Sequence, residues 1–163
     1  MMIEQSPSIE ETTKDDRLLR LYRYWEEKRG RRPFPARSDI DPLDFPYALG
    51  RVSMIDVLHD PLRFRYRLVS TQLTEHLGYE MTGKFVEEIP DLSMQEFARA
   101  YYERALACGA PHYESGTVLI DRFGWRHETL SLPLSSDGQT IDMLLIYRNT
   151  SRPEVVTPPY RPA

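Results

Sequence analysis

The chain has 163 residues, one cysteine, and a formal net charge of −4 from 21 basic and 25 acidic side chains. That length suits one domain able to bury roughly 70% of its unfolded surface. The near balance argues against non-specific nucleic-acid binding by the chain as a whole, and the lone Cys108 excludes an internal disulfide framework or a multi-cysteine metal site. No apolar run approaches the roughly 20 residues of a spanning helix, and residues 1–16 are acidic rather than a signal peptide, so a cytoplasmic protein is expected.

The charge is segregated. Residues 1–16 carry −4, residues 17–37 carry +6 and the remaining 126 carry −6. The first 16 residues lack apolar periodicity and read as a disordered acidic tail. A helix is then expected from Asp15 or Asp16 to Gly30, with Leu18, Leu21, Tyr22 and Trp25 at i, i+3, i+4 and i+7 forming one apolar stripe. Pro33 and Pro35 punctuate a connector. Asp41 before Pro42 reads as the N-cap of a short turn or helix ending by Gly50, which closes a segment of residues 17–50.

The period then changes. Residues 51–58 and 62–69 alternate as two strands around a tight connection of His59, Asp60 and Pro61. Residues 71–77 read as a short helix ended by Gly78, and Ser93 with Glu96 as the capping box of a longer one reaching Cys108. Three more strands follow at 113–121, 127–135 and 139–148, the last two joined at Asp137-Gly138. Residues 151–163 hold four of the 13 prolines and read as an extended tail. A hairpin and a meander bury their apolar faces together in one sheet, which gives an α+β domain.

Period-two alternation assigns the faces. Folding the first hairpin about Asp60 puts Val52, Met54, Asp56, Leu58, Leu62, Phe64, Tyr66 and Leu68 together. Folding the last about Asp137-Gly138 pairs Leu134 with Ile141, Leu132 with Met143, Leu130 with Leu145 and Glu128 with Tyr147. Asp56 and Glu128 intrude on this apolar face, either as acids near strand ends or as polar contacts inside a cavity. The opposite face is mixed, with Ile55, Val57, Leu144 and Ile146 as a central apolar patch and Arg63, Arg65 and Arg67 as a solvated edge. The patch needs a cover, and the Leu18/Leu21/Tyr22/Trp25 stripe is one, from the same chain or a partner.

The segment His76-Leu77-Gly78-Tyr79-Glu80-Met81-Thr82-Gly83-Lys84 resembles the "LGY…GK" segment of PAS domains. The element order looks like PAS as well. Residues 19–45, and Phe64-Arg65-Tyr66-Arg67-Leu68-Val69-Ser70-Thr71, are similar to a bacterial family of short stand-alone PAS-like proteins. The resemblance implies a five-stranded antiparallel sheet in spatial order 2-1-5-4-3, middle helices enclosing a cavity on one face and an N-terminal helix on the other. It divides the chain at 1–16, 17–50, 51–149 and 150–163. It further implies a sensing or interaction role, often in homodimers. No kinase, cyclase or DNA-binding segment follows the domain, so output is expected through another signalling protein or self-association.

The residues give no catalytic motif: no glycine-rich phosphate loop, no nucleophile elbow and no metal-spaced cluster. Cys108 ends a helix outside the Asn-Cys-Arg context of flavin photoreceptors and reads as a buried structural thiol. Haem-binding relatives need an axial histidine, for which His76 is the candidate and a capping or exposed role the preferred reading. No cofactor is assigned. His127 faces away from its neighbour Glu128. Three functions follow. A PAS-like sensor would bind a small ligand among Met54, Phe64, Tyr66, Leu132, Met143 and Tyr147, with Asp56 or Glu128 as the polar contact. A small cone-shaped isomerase or dehydratase would use Asp56 or Glu128 as general base. A scaffold would use only the outer interface of Leu18, Leu21, Tyr22, Trp25, Ile55, Val57, Leu144 and Ile146.

Overall fold

The computed structural model describes residues 8–120, 123–151 and 154–155. The expected tails at 1–7 and 156–163, and the strand end at Asp121, lie outside the described residues. Among the described residues four α-helices and six strands follow in the order α1 (Ile9–Thr12), α2 (Asp16–Arg29), β1 (Val52–Leu58), β2 (Arg63–Leu68), α3 (Thr71–Leu77), α4 (Leu92–Cys108), β3 (His112–Ile120), β4 (Phe123–Leu134), β5 (Met143–Thr150) and β6 (Glu154–Val155). The antiparallel sheet runs β2-β1-β5-β4-β3, the order expected, and the short β6 pairs with the start of β4.

Local chemistry sets the helix ends. Asp15 caps α2 by accepting from the Arg17 N–H, and Gly30 stops it at a φ of +57°. Ser70 caps α3, which ends at Gly78 in the left-handed region. Asp91, not Ser93, caps α4: its carboxylate accepts from the Met94 N–H at 2.8 Å, so the helix begins at Leu92. The acidic tail also departs from expectation. Ser8 and Glu11 close a capping box on α1, and buried Thr13 leads into Asp15, so ordered structure begins before residue 17.

Both hairpins form in a different register from that expected. In the first, four residues (59–62) make the turn instead of three, and Asp60 takes a φ of +55°. Val57 therefore pairs with Phe64, Asp56 with Arg65 and Ile55 with Tyr66. A slip of one residue exchanges the faces, so Phe64 and Tyr66 join Ile55 and Val57, while Arg65 turns to the side of Asp56. Arg67 is the extra residue of a bulge before Met54 pairs with Leu68. In the last hairpin the loop spans residues 135–142. The Asp137 carboxylate gathers the Gln139 and Thr140 N–H groups, each at 2.8 Å, and the Ser136 N–H donates to Asp142 at 2.8 Å. Leu134 thus pairs with Met143, Leu132 with Leu145, Leu130 with Tyr147 and Glu128 with Asn149. This shift of two keeps every β4 and β5 side chain on its expected face.

The two faces have exchanged covers. Met54, Asp56, Leu130, Leu132, Leu134, Met143, Leu145 and Tyr147 lie on the side of α2, whose Leu18, Leu21 and Trp25 are buried. The Trp25 indole N–H donates to the Pro133 carbonyl at 2.9 Å, and the Ser135 N–H donates to the Pro35 carbonyl at 3.0 Å, fastening helix and connector to β4. The patch of Ile55, Val57, Leu144 and Ile146 instead lies under the middle helices. There the Ser70 N–H donates to Ser53 Oγ at 2.9 Å, and the Tyr102 hydroxyl donates to that of Tyr66 at 3.0 Å. Side-chain character explains the choice. The buried residues of α4 are Ala98, Tyr101, Tyr102 and Ala105, small or hydroxyl-bearing, which suits a face carrying Ser53, Thr129 and Ser131. The leucine-rich face receives the leucine and tryptophan stripe, with buried Phe34, Ile40, Phe45 and Ala48 of the connector joining the same core.

Candidate functional site

A cleft of about 400 Å³ opens on the α3/α4 side of the sheet. Three elements build it. The sheet supplies alternate residues Trp125 and His127 of β4, with Arg148 and Thr150 of β5. The short α3 and its cap supply Ser70, Leu73 and His76, and the first turns of α4 supply Met94 and Phe97. Period-two alternation on the strands and a spacing of three on the helices aim these side chains at one space.

Aromatic rings form much of the wall. His76 lies against Trp125 with ring centroids 4.4 Å apart, and Phe97 meets His127 edge-on at 6.2 Å. His127 Nδ1 lies 3.0 Å from the Thr129 hydroxyl. Burial, and then the Arg148 charge, push the His127 imidazole below its ordinary range against the pull of Glu114. Burial also lowers His76, whose neighbours Glu75 and Arg148 act in opposite directions. Arg148 is half-buried, its guanidinium 5.9 Å from the Tyr101 ring centroid. Among the described residues no carboxylate lies within ion-pair distance of it, in contrast to Arg65, Arg67, Arg99 and Arg104, each of which has one. Among the described residues Asp91 is the one carboxylate lining the cleft, and it is turned to the α4 N-terminus.

The residues expected to form the cavity are mostly elsewhere. Phe64 and Tyr66 do lie on the cavity side, buried against Tyr102, although they do not line the cleft. Met54, Leu132, Met143 and Tyr147 lie on the α2 side. Asp56 is there too, bound by Arg65 at 3.0 Å and Arg67 at 2.8 Å. Glu128 accepts from the Thr13 hydroxyl at 2.6 Å and the Tyr113 hydroxyl at 2.7 Å. Neither acid lines the cleft, so neither is placed as a general base for a molecule held there. The expected outer interface is likewise divided, with Leu18, Leu21, half-buried Tyr22 and Trp25 on one side of the sheet and Ile55, Val57, Leu144 and Ile146 on the other. Leu18, Leu21 and Trp25 are buried within this chain.

Cys108 is exposed rather than buried, because the inward stripe of α4 ends at Ala105. It does not line the cleft, so no thiol is offered there for a flavin adduct. His76 is exposed at the cleft mouth, and His127 faces away from Glu128, as expected. Among the described residues no group of three His, Cys, Asp or Glu could hold a metal ion, and no helix is long and apolar enough to cross a membrane. Sequence reasoning missed Arg148, Trp125 and Phe97. The available signal was the polar alternation of His127, Thr129 and Ser131 opposite the leucines of β4.

No curated protein and no solved structure gives a significant match to the chain. A family profile described as "PAS domain" matches residues 13–145, which takes in α2, the connector and nearly all of the sheet. The match begins at Thr13, whose hydroxyl donates to Glu128 of the sheet. With the strand order and the helices on both faces, it establishes that the chain belongs to the PAS domain family.

Proposed function

We propose that this PAS-like sensory and regulatory module binds a small molecule in the cleft between α3, α4 and the Trp125/Arg148 region of the sheet. The observation that carries this reading is the convergence of aromatic walls with Arg148, a half-buried cation without a carboxylate partner among the described residues. A charge drawn partly out of water and left unpaired costs stability, and sites that bind ligands commonly hold such a group for the ligand. Seven-residue α3 forms one wall, so occupancy would be reported through α3 and Ser53 to the central strands. Output through a second copy of the chain or a separate signalling protein completes the proposal.

A thermal-shift screen of small metabolites, followed by NMR of the hits, tests it. A compound that raises Tm and moves the Trp125 and Arg148 side-chain signals supports the reading. A broad screen in which no stabilising compound touches those signals contradicts it. Light scattering with and without a hit then reads any change in oligomeric state.

A further inference from the structure

Resting on the ligand-binding reading above, we infer that the cleft is built for a small organic anion, a carboxylate or phosphate on a flat apolar body, with the anion on Arg148 and the body against Trp125 and Phe97.

Of the seven arginines of the described sheet and α4, five (Arg63, Arg65, Arg67, Arg99 and Arg104) have a carboxylate within 4 Å; exposed Arg126 and half-buried Arg148 have none among the described residues, and of these two Arg148 is the one that lines the cleft. Its β5 position aims it at the cleft together with Thr150, and its β4 neighbour Thr129 is a neutral hydroxyl. Asp91, which also lines the cleft, lies beyond ion-pair distance of Arg148 and caps α4 through the Met94 N–H at 2.8 Å. A guanidinium presents paired N–H donors that match the two oxygens of a carboxylate or phosphate. The remaining walls are unsuited to a bare inorganic ion. Trp125, Phe97, Leu73 and Met94 offer apolar surface, and the tilted His76–Trp125 pair, centroids 4.4 Å apart, gives a flat edge against which a ring can lie.

Matched probes separate this inference from the broader one. Benzoate, phenyl phosphate and neutral benzamide have the same ring and differ in charge, and each is titrated into wild-type protein while the Trp125 indole N–H signal is followed. The inference predicts that benzoate or phenyl phosphate binds at least about tenfold more tightly than benzamide, and the stronger of the two tells carboxylate from phosphate. Arg148→Met should abolish that preference, and Arg148→Lys should restore part of it. The wild-type comparison stands whether or not the variants fold. Equal binding of charged and neutral probes overturns the anion inference and leaves the ligand-binding reading intact. Failure of all three to move Trp125 at 10 mM overturns the anion inference, and the broad metabolite screen then decides the ligand-binding reading.

Discussion

The Tyr147 hydroxyl donates to Asp15 Oδ2 at 2.6 Å across 132 residues of chain, joining the first turn of α2 to the central strand of the sheet. Asn149 donates to the same oxygen at 2.9 Å, and two residues earlier Thr13 reaches Glu128. The N-terminal segment is therefore tied down by charge-assisted hydrogen bonds as well as by its apolar stripe. Asp15→Ala should lose about 1–3 kcal/mol of folding stability, since it removes both the cap and the bond to Tyr147. A double-mutant cycle of Asp15→Asn with Tyr147→Phe should show a coupling energy of about 1 kcal/mol in chemical denaturation; additive losses would show that the bond contributes nothing.

The same carboxylate predicts a pH response. Burial raises the Asp15 pKa, but the Tyr147 hydroxyl, the Arg17 guanidinium and the Arg17 and Leu18 N–H groups outweigh it and hold the group below its ordinary value of 3.8. A folded-state pKa below the unfolded one stabilises the protein above the unfolded value, and the contribution is lost as pH falls through the folded value. The wild type should therefore lose more stability than Asp15→Asn as the pH drops through and below 3.8. Parallel stability curves over that window would contradict the assignment.

Asp56 answers to two arginines at once. It is 7% exposed, and Arg67, the extra residue of the β2 bulge, reaches it alongside Arg65. Either arginine alone keeps the carboxylate paired, so Arg65→Ala and Arg67→Ala should each cost about 1 kcal/mol or less. The double substitution strands a buried charge and should cost about 3 kcal/mol, more than the two losses added together. Urea denaturation of the three variants measures this, and simple additivity would mean that the two arginines act independently rather than substituting for one another.

Two adjacent tyrosines of α4 should behave oppositely. The Tyr102 hydroxyl bonds that of Tyr66 at 3.0 Å in the core, whereas the Tyr101 hydroxyl is buried without a hydrogen-bond partner. Tyr102→Phe leaves a buried hydroxyl unpartnered and should cost about 1–2 kcal/mol, while Tyr101→Phe should be neutral or slightly stabilising. Thermal unfolding of both variants reads the contrast directly.

Much of this fold was legible in the sequence because local signals mark it. Asp15, Gly30 and Gly78 bound helices where capping chemistry puts them, and the strand order followed from the family resemblance. The site was less legible, for two reasons. One residue in the turn after Leu58 exchanges the faces of β2, and neither periodicity nor composition counts turn residues that accurately. Alternation also says which residues share a face, not which helix covers it. The more apolar face was assigned to the cavity, whereas the Leu18/Leu21/Trp25 stripe occupies it and leaves the mixed face, with Arg148 and His127, to form the cleft.

The two tryptophans stand on opposite sides of the sheet and make the most direct test of where this domain binds. Trp25 of α2 is 3% exposed, its indole bonded to Pro133, while Trp125 lines the cleft beside His76. In a titration of the full chain with a bound hit or with benzoate, followed by indole N–H resonances, the account predicts that Trp125 shifts progressively and Trp25 stays in place. A shift of Trp25 with Trp125 unmoved would put the binding site on the other face and contradict it.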